Sequence, residues 1–200
     1  IRQWATYCGG SFDDIATGIS TDVSGNIYIA GHAQSTDFPT QNPGGGAYYQ
    51  STNAGSNDVF ILKFNSSYAL VWGTYYGGSG DDEAYGNTTL GVAVDMVGNI
   101  YVGGYTTSTD FPTLDPGGGA YYQPANAGMG DIFILQFNSA GAQIWSTYYG
   151  GDDIDFSRGI STSSAGCLYL TGEFTGTSLP TLMDPGSGAY YQPVNGGGAH

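Results

Sequence analysis

The chain has 200 residues, 35 of them Gly and 17 Tyr, with 17 acidic side chains against 3 basic ones and a formal charge of −14. That balance excludes the Lys/Arg-rich surfaces that nucleic acid and anionic membranes require, and no apolar run approaches the roughly 20 residues of a membrane helix. Helix formers are scarce, while Tyr, Thr, Gly, Ser and Asn dominate, the composition of short strands joined by tight turns.

Self-similarity organises the chain. Trp4-Ala5-Thr6-Tyr7-Cys8-Gly9-Gly10 returns at Trp72–Gly78 and Trp145–Gly151, so the repeat is about 70 residues long. The opening segment, 1–10, is expected to be the last strand of a preceding unit. A strand over Ile15–Thr21 follows, then the turn Asp22-Val23-Ser24-Gly25, whose glycine is free to take positive φ. Asn26–His32 forms the next strand, with Ile27 and Ile29 on one face and Tyr28 on the other. After a long Pro/Gly-rich connection from Ser35 to Asn57 comes Asp58–Phe64, nearly all apolar and read as a strand buried on both faces. Asn65-Ser66-Ser67 turns the chain into the last strand, Leu70–Tyr76. Units are thus read at 11–78, 79–151 and 152–200, the third holding two strands and the long loop.

Four-stranded meanders in tandem, each unable to bury both faces alone, predict an all-β fold of antiparallel β-propeller blades, an incomplete set of about two and a half. The alternative is a β-solenoid-like array, whose rungs are usually shorter. Closure needs about four blades or more. The stretch is therefore expected either to belong to a longer chain or to complete itself with further copies, head to tail or as a filament.

The motifs Trp-x-Thr-Tyr-Tyr-Gly-Gly-Ser-Gly-Asp-Asp, Asp-x-x-Gly-Asn-Ile-Tyr-x-x-Gly and Ser-Thr-Asp-Phe-Pro-Thr, all present between Trp72 and Thr113, closely resemble the bacterial SBBP (seven-bladed β-propeller) repeat. Unit 1 departs at Cys8 and Phe12; unit 3 lacks Ser-Gly before its acidic pair and the Asp of the third motif. The resemblance implies a propeller-type fold within a large secreted or surface-exposed bacterial protein, and it implies no reaction.

Catalysis would need a constellation that breaks the repeat. His32 and His200 sit in no recognisable motif, and no Gly-x-Ser-x-Gly is present, so a non-enzymatic role is expected. The pairs Asp13-Asp14, Asp81-Asp82 and Asp152-Asp153 carry two readings. Carboxylates beside glycine carbonyls could bind Ca²⁺, or their side chains could cap turns by accepting backbone N–H bonds; recurrence favours the second. Asp37 and Asp110, before Phe-Pro, read as turn caps. Tyr48-Tyr49, Tyr121-Tyr122 and Tyr190-Tyr191 either stack on sugar rings or pack against the blade edge, with packing preferred. Asn65 and Asn87 begin N-glycosylation patterns. Cys8 and Cys167 fall at non-equivalent positions and make no disulfide framework. The expected role is a structural or interaction repeat outside the cell or on its surface, as scaffold, adhesin or filament unit, with copies of itself as partners; carbohydrate binding is the alternative.

Overall fold

The computed structural model describes residues 4–83, 91–180, 189, 190 and 192. These residues carry no helix, and their strands form three antiparallel sheets. In the first, β1 (Asp14–Thr21), β2 (Ile27–Ala33), β3 (Asp58–Phe64) and β4 (Leu70–Tyr76) lie in chain order. In the second, β5 (Asp82–Glu83) and β6 (Val92–Val94) both pair with β7 (Ile100–Thr106), followed by β8 (Asp131–Phe137) and β9 (Gln143–Tyr149). A hairpin of β10 (Asp155–Thr162) and β11 (Leu168–Phe174) makes the third. The architecture is that of partial propeller blades.

Both hairpins of a unit close on the same device. Asp22 Oδ1 accepts the N–H groups of Ser24 and Asn26, while its Oδ2 accepts from Asn26 Nδ2 and Tyr28 Oη. Asp95 repeats the arrangement with Val97, Asn99 and Tyr101. Gly25, Gly98 and Gly166 supply the left-handed residue at φ 78°, 87° and 80°. At the second hairpin Asn65 Oδ1 accepts from Ser67 and Ala69, as Asn138 Oδ1 does from Ala140 and Ala142. Tyr68 there adopts φ 65°, a strained value for a bulky residue, where the next unit has Gly141.

The register repeats as faithfully. Bulges interrupt β1–β2 between Ala16 and Gly18, and β10–β11 between Ser157 and Gly159; another pair falls opposite Trp72 and Trp145. Gly31 faces Phe60 across β2–β3, and Gly104 faces Phe133 across β7–β8. A Cβ at Gly31 would lie 2.7 Å from the Phe60 ring and overlap the Ile15 carbonyl. At Gly104 it would lie 2.5 Å from the Phe133 ring and overlap the Glu83 carbonyl. The glycines thus make room for rings, which stack in turn on Phe38 (4.4 Å) and Phe111 (4.9 Å). Each such buried ring contributes about 1.5–3 kcal/mol relative to exposure.

Residues 4–10 carry no strand. Their counterparts Trp72–Tyr76 and Trp145–Tyr149 hydrogen-bond to β3 and β8, and among the described residues nothing offers Trp4–Tyr7 such a ladder. Trp4 still takes the place its repeat position dictates. It stacks on Tyr68 at 5.2 Å and meets Phe64 at 5.4 Å, as Trp72 meets Phe137 at 5.3 Å. Of the first strand of the second unit, the described residues show β5 and β6.

Gly104→Val is expected to lower stability by about 3 kcal/mol through overpacking against Phe133 and the Glu83 carbonyl. Urea unfolding with an unchanged m-value checks it; a midpoint equal to the parent's would show that the ring does not depend on this glycine.

Candidate functional site at the junction between sheets

Neighbouring sheets meet where β4 or β9 hands over to the next unit, at Tyr-Tyr-Gly-Gly. Strand alternation sends the two tyrosines opposite ways. Tyr75 turns into its own sheet, donating to the Ser35 carbonyl at 2.7 Å and accepting from Phe38 N–H at 2.9 Å. Tyr76 turns into the next, donating to the Pro112 carbonyl and accepting from Gln143 Nε2 at 2.7 Å. Its ring meets Phe111 at 5.2 Å, Phe137 at 5.8 Å and Tyr48 at 4.6 Å. One apolar cluster therefore runs from Tyr28, Ile61, Trp72 and Tyr76 through Val102, Phe133 and Phe137. Burial raises the Tyr76 hydroxyl far above the ordinary phenol value.

The double glycine that follows passes between carboxylates of two sheets. A Cβ on Gly77 would lie 2.7 Å from both Asp58 Oδ1 and Asp82 Oδ2, so only glycine fits. Gly150 stands likewise between Asp131 and Asp155. All four carboxylates are buried. Asp82 Oδ2 accepts the Gly78 N–H (2.7 Å) and the Ser108 hydroxyl (2.8 Å), and its Oδ1 accepts from Thr106. Asp58 Oδ2 accepts from Gln50 Nε2 (2.6 Å) and Ala54 N–H (3.0 Å), whereas Asp58 Oδ1 and Asp131 Oδ1 are buried with no hydrogen bond. Burial first, and the neighbouring Asp82, lift the Asp58 carboxyl to about 6; burial and Asp155 do the same for Asp131.

Gln50 ties the long loop to this junction. Besides Asp58, it accepts the Gly77 N–H and the Tyr48 hydroxyl at Oε1, both at 3.2 Å. Gln123 repeats all three contacts with Asp131, Gly150 and Tyr121. Backbone bonds complete the seam, with Asp82 N–H on Asn57 O at 2.8 Å and Asp155 N–H on Gly130 O at 2.9 Å.

The acidic pairs divide accordingly. Asp14 and Asp82 are the staple, each taking the N–H of the second glycine four residues before it; Asp13 is exposed and Asp81 half-buried. In the third unit that staple is Asp155, bonded to Gly151 N–H at 2.6 Å, and not Asp153. Asp152 belongs to a different position. Ser11 and Ser79 donate to Asp37 and Asp110, so these two are long-range clasps rather than local turn caps. In the third unit the polarity is reversed: Asp152 accepts from Thr177 and Ser178, which holds its carboxyl down at about 2. Among the described residues no group of three or more His, Cys, Asp or Glu could hold a metal ion.

The first tyrosine of each loop pair is committed to packing, Tyr48 on Tyr76 and Tyr121 on Tyr149 at 5.3 Å. The second is bonded through its hydroxyl, the exposed Tyr49 to Thr40 and the half-buried Tyr122 to Thr113. Tyr190 is exposed; Tyr191, Asn87 and His200 lie outside the described residues. The side-chain oxygen of Asn65 is taken up by its turn. His32 is a half-buried residue next to the end of β2, and its Nδ1 lacks a hydrogen bond. Cys8 and Cys167 are exposed free thiols.

The junction carboxyls fix a pH dependence. Their folded-state values lie above that of an unfolded carboxylate, so folding is favoured most below about pH 4, and this advantage is lost as pH rises to about 6. The hydrogen bonds that hold Asp37, Asp110 and Asp152 low act in the opposite sense, adding stability that disappears in stronger acid. Asp58→Asn is therefore expected to raise the melting temperature by about 2–4 °C at pH 7.5 and to leave it unchanged near pH 4. Calorimetry at the two pH values checks this, and an equal shift at both would remove the carboxylate pair as its cause.

The sequence model described as a beta-propeller repeat, SBBP, matches residues 3–39 and 71–112. The uncharacterized WD repeat-containing protein L264 of Acanthamoeba polyphaga mimivirus is 25% identical over 209 residues, covering 96% of this chain and 15% of that protein. The chain thus spans a small part of that relative's length. Each matched segment runs from the Trp-x-Thr-Tyr stretch before the double glycine to the loop after the second hairpin strand, and over these two segments the chain is similar to the SBBP beta-propeller repeat.

Proposed function

We propose that this chain is a structural and interaction segment of an extracellular or cell-surface bacterial protein, in which stacked sheets build a scaffold, adhesin stalk or filament. The observation that carries the reading is the fate of the polar groups. Each junction cluster recurs from unit to unit, and its acceptors, Asp58 Oδ1 and Asp131 Oδ1 excepted, are taken up by backbone N–H groups, hydroxyls and amides of the fold itself. A catalytic centre would stand out as a unique constellation. The raised carboxyls at Asp58 and Asp131 come instead as two copies of one structural arrangement. Similarity to a WD repeat-containing protein supports an interaction role, and the SBBP resemblance supports the location.

Electron microscopy of the native full-length protein is the test. Rods or closed rings of stacked sheets are expected. Isolated particles that neither self-associate nor crosslink to another protein, yet turn over a substrate, would overturn the scaffold reading. Carbohydrate binding would fall on the second ring of each pair, Tyr49 and Tyr122. A glycan array on which the parent binds and the Tyr49→Ala/Tyr122→Ala variant does not would replace the scaffold reading with a lectin one; equal signals for the two proteins are expected.

A further inference from the structure

The outer edges of the first two sheets are covered by the chain's own long loops. β4 pairs with β3 on one side and ends the first sheet, as β9 pairs with β8 and ends the second. A bare edge of this kind offers its N–H and C=O groups to any other strand. Here the long loop takes them. Gln41 exchanges two backbone bonds with Gly73, at 2.8 and 3.0 Å, and Gln50 O accepts the Tyr75 N–H at 3.1 Å. The second sheet repeats the cover. Leu114 exchanges two bonds with Ser146, at 3.0 and 3.1 Å, and Gln123 O accepts the Tyr148 N–H at 3.2 Å.

Between these anchors the loop is shaped by glycine. Asn42 Oδ1 accepts the Gly44 N–H at 2.8 Å, Gly44, Gly45 and Gly46 follow at φ 73°, 65° and 85°, and the Ala47 N–H returns to Gly44 O. A Cβ on any of the three would meet no atom within 4 Å, so these glycines serve the backbone conformation and not close packing. Gly117, Gly118 and Gly119 repeat the turn at φ 72°, 66° and 77°. The Thr40 and Tyr49 hydroxyls, 3.1 Å apart, tie the two limbs together. The next sheet adds an outer fastening. Tyr48 donates its N–H to Gly141 O of the β8–β9 turn and accepts from Trp72 Nε1, both at 2.9 Å, while its ring lies against Tyr76 and Phe137.

We propose that the long loop is a strap, which keeps the outer edge of its sheet from pairing with a strand of another copy of the chain and which the sheet stacked next fastens. Its length fits the role. Antiparallel neighbours can be joined by about two to five residues, whereas residues 34–57 lie between β2 and β3. The occupant excluded is a second copy, because each copy carries the same strands and an uncovered edge is a template for its like. The inference goes beyond the interaction-segment reading: it concerns the surface that copies are kept from using, whichever surface they do use.

Valine at the three glycines tests the strap without disturbing the core, since the left-handed backbone strains a β-branched residue and the space around it is open. In the intact chain, Gly44→Val/Gly45→Val/Gly46→Val is expected to speed amide exchange at Gly73 and Tyr75 by about tenfold or more. Ile61 and Leu62 of β3 are expected to stay as protected as in the parent, and the variant to sediment as larger species at equal concentration. Asparagine, which tolerates the left-handed region, is expected at the same positions to return both readouts toward the parent's. Unchanged exchange at Gly73 and Tyr75, lost protection at Ile61 and Leu62, faster exchange without added association, or equal behaviour of the valine and asparagine variants would each overturn the proposal. Microscopy of the full-length protein reads the scaffold separately, so rods together with any of these results would sink this inference alone.

Discussion

Two tyrosines in succession, followed by two glycines, hold the sheets together. The two-residue period of a strand makes Tyr75 and Tyr76 diverge, the first bonded to Ser35 of its own sheet and the second to Pro112 of the next. Without the glycines the turn could not pass between Asp58 and Asp82. Without the acidic staple the turn's N–H would be buried without an acceptor, a loss of about 1–3 kcal/mol. The rest of the unit, from the long loop to the paired hairpins, serves to present partners to this junction.

The cost of the design is carried by the carboxylates. Asp58 and Asp82 approach across a glycine in a buried setting, and only one of them has both oxygens satisfied. Such a pair is strained as two anions and relaxed when a proton is present. The arrangement recurs at Asp131 and Asp155. Recurrence makes it a property of the repeat, and an ordinary consequence of stapling two sheets at one turn. It also explains how a chain with so few basic residues manages its charge: the buried carboxylates bond to N–H groups, amides and hydroxyls rather than to cations.

Much of this is legible in the sequence. Asp58–Phe64 and Leu70–Tyr76 appear as predicted, because a continuous apolar run and a double glycine mark a central strand and its end. The hairpin turns follow from Asp-x-x-Gly-Asn. The long-range contacts are not legible. Gln50 gathers Tyr48, Asp58 and Gly77 from three segments, a convergence with no periodic signature. In the third unit the acidic pair resembles its predecessors and points to Asp153 as the staple, whereas the strand register places Asp155 against Gly151.

Differences between units show which features the fold demands. Ser11 and Ser79 donate to an aspartate at the far side of their loop, and the third unit keeps the bond with donor and acceptor exchanged, Asp152 accepting from Ser178. Likewise Asp22 and Asn26 give way to Ser163 and Cys167, where Ser163 Oγ still accepts the backbone N–H at 3.2 Å while the side-chain amide contact is gone. At the hairpin turn the backbone bond survives the change of side chains, and at the clasp a backbone N–H of the opposite partner takes the carboxylate instead. What the repeat preserves is therefore the satisfaction of buried and turn N–H groups, as the stacking of one sheet on the next requires.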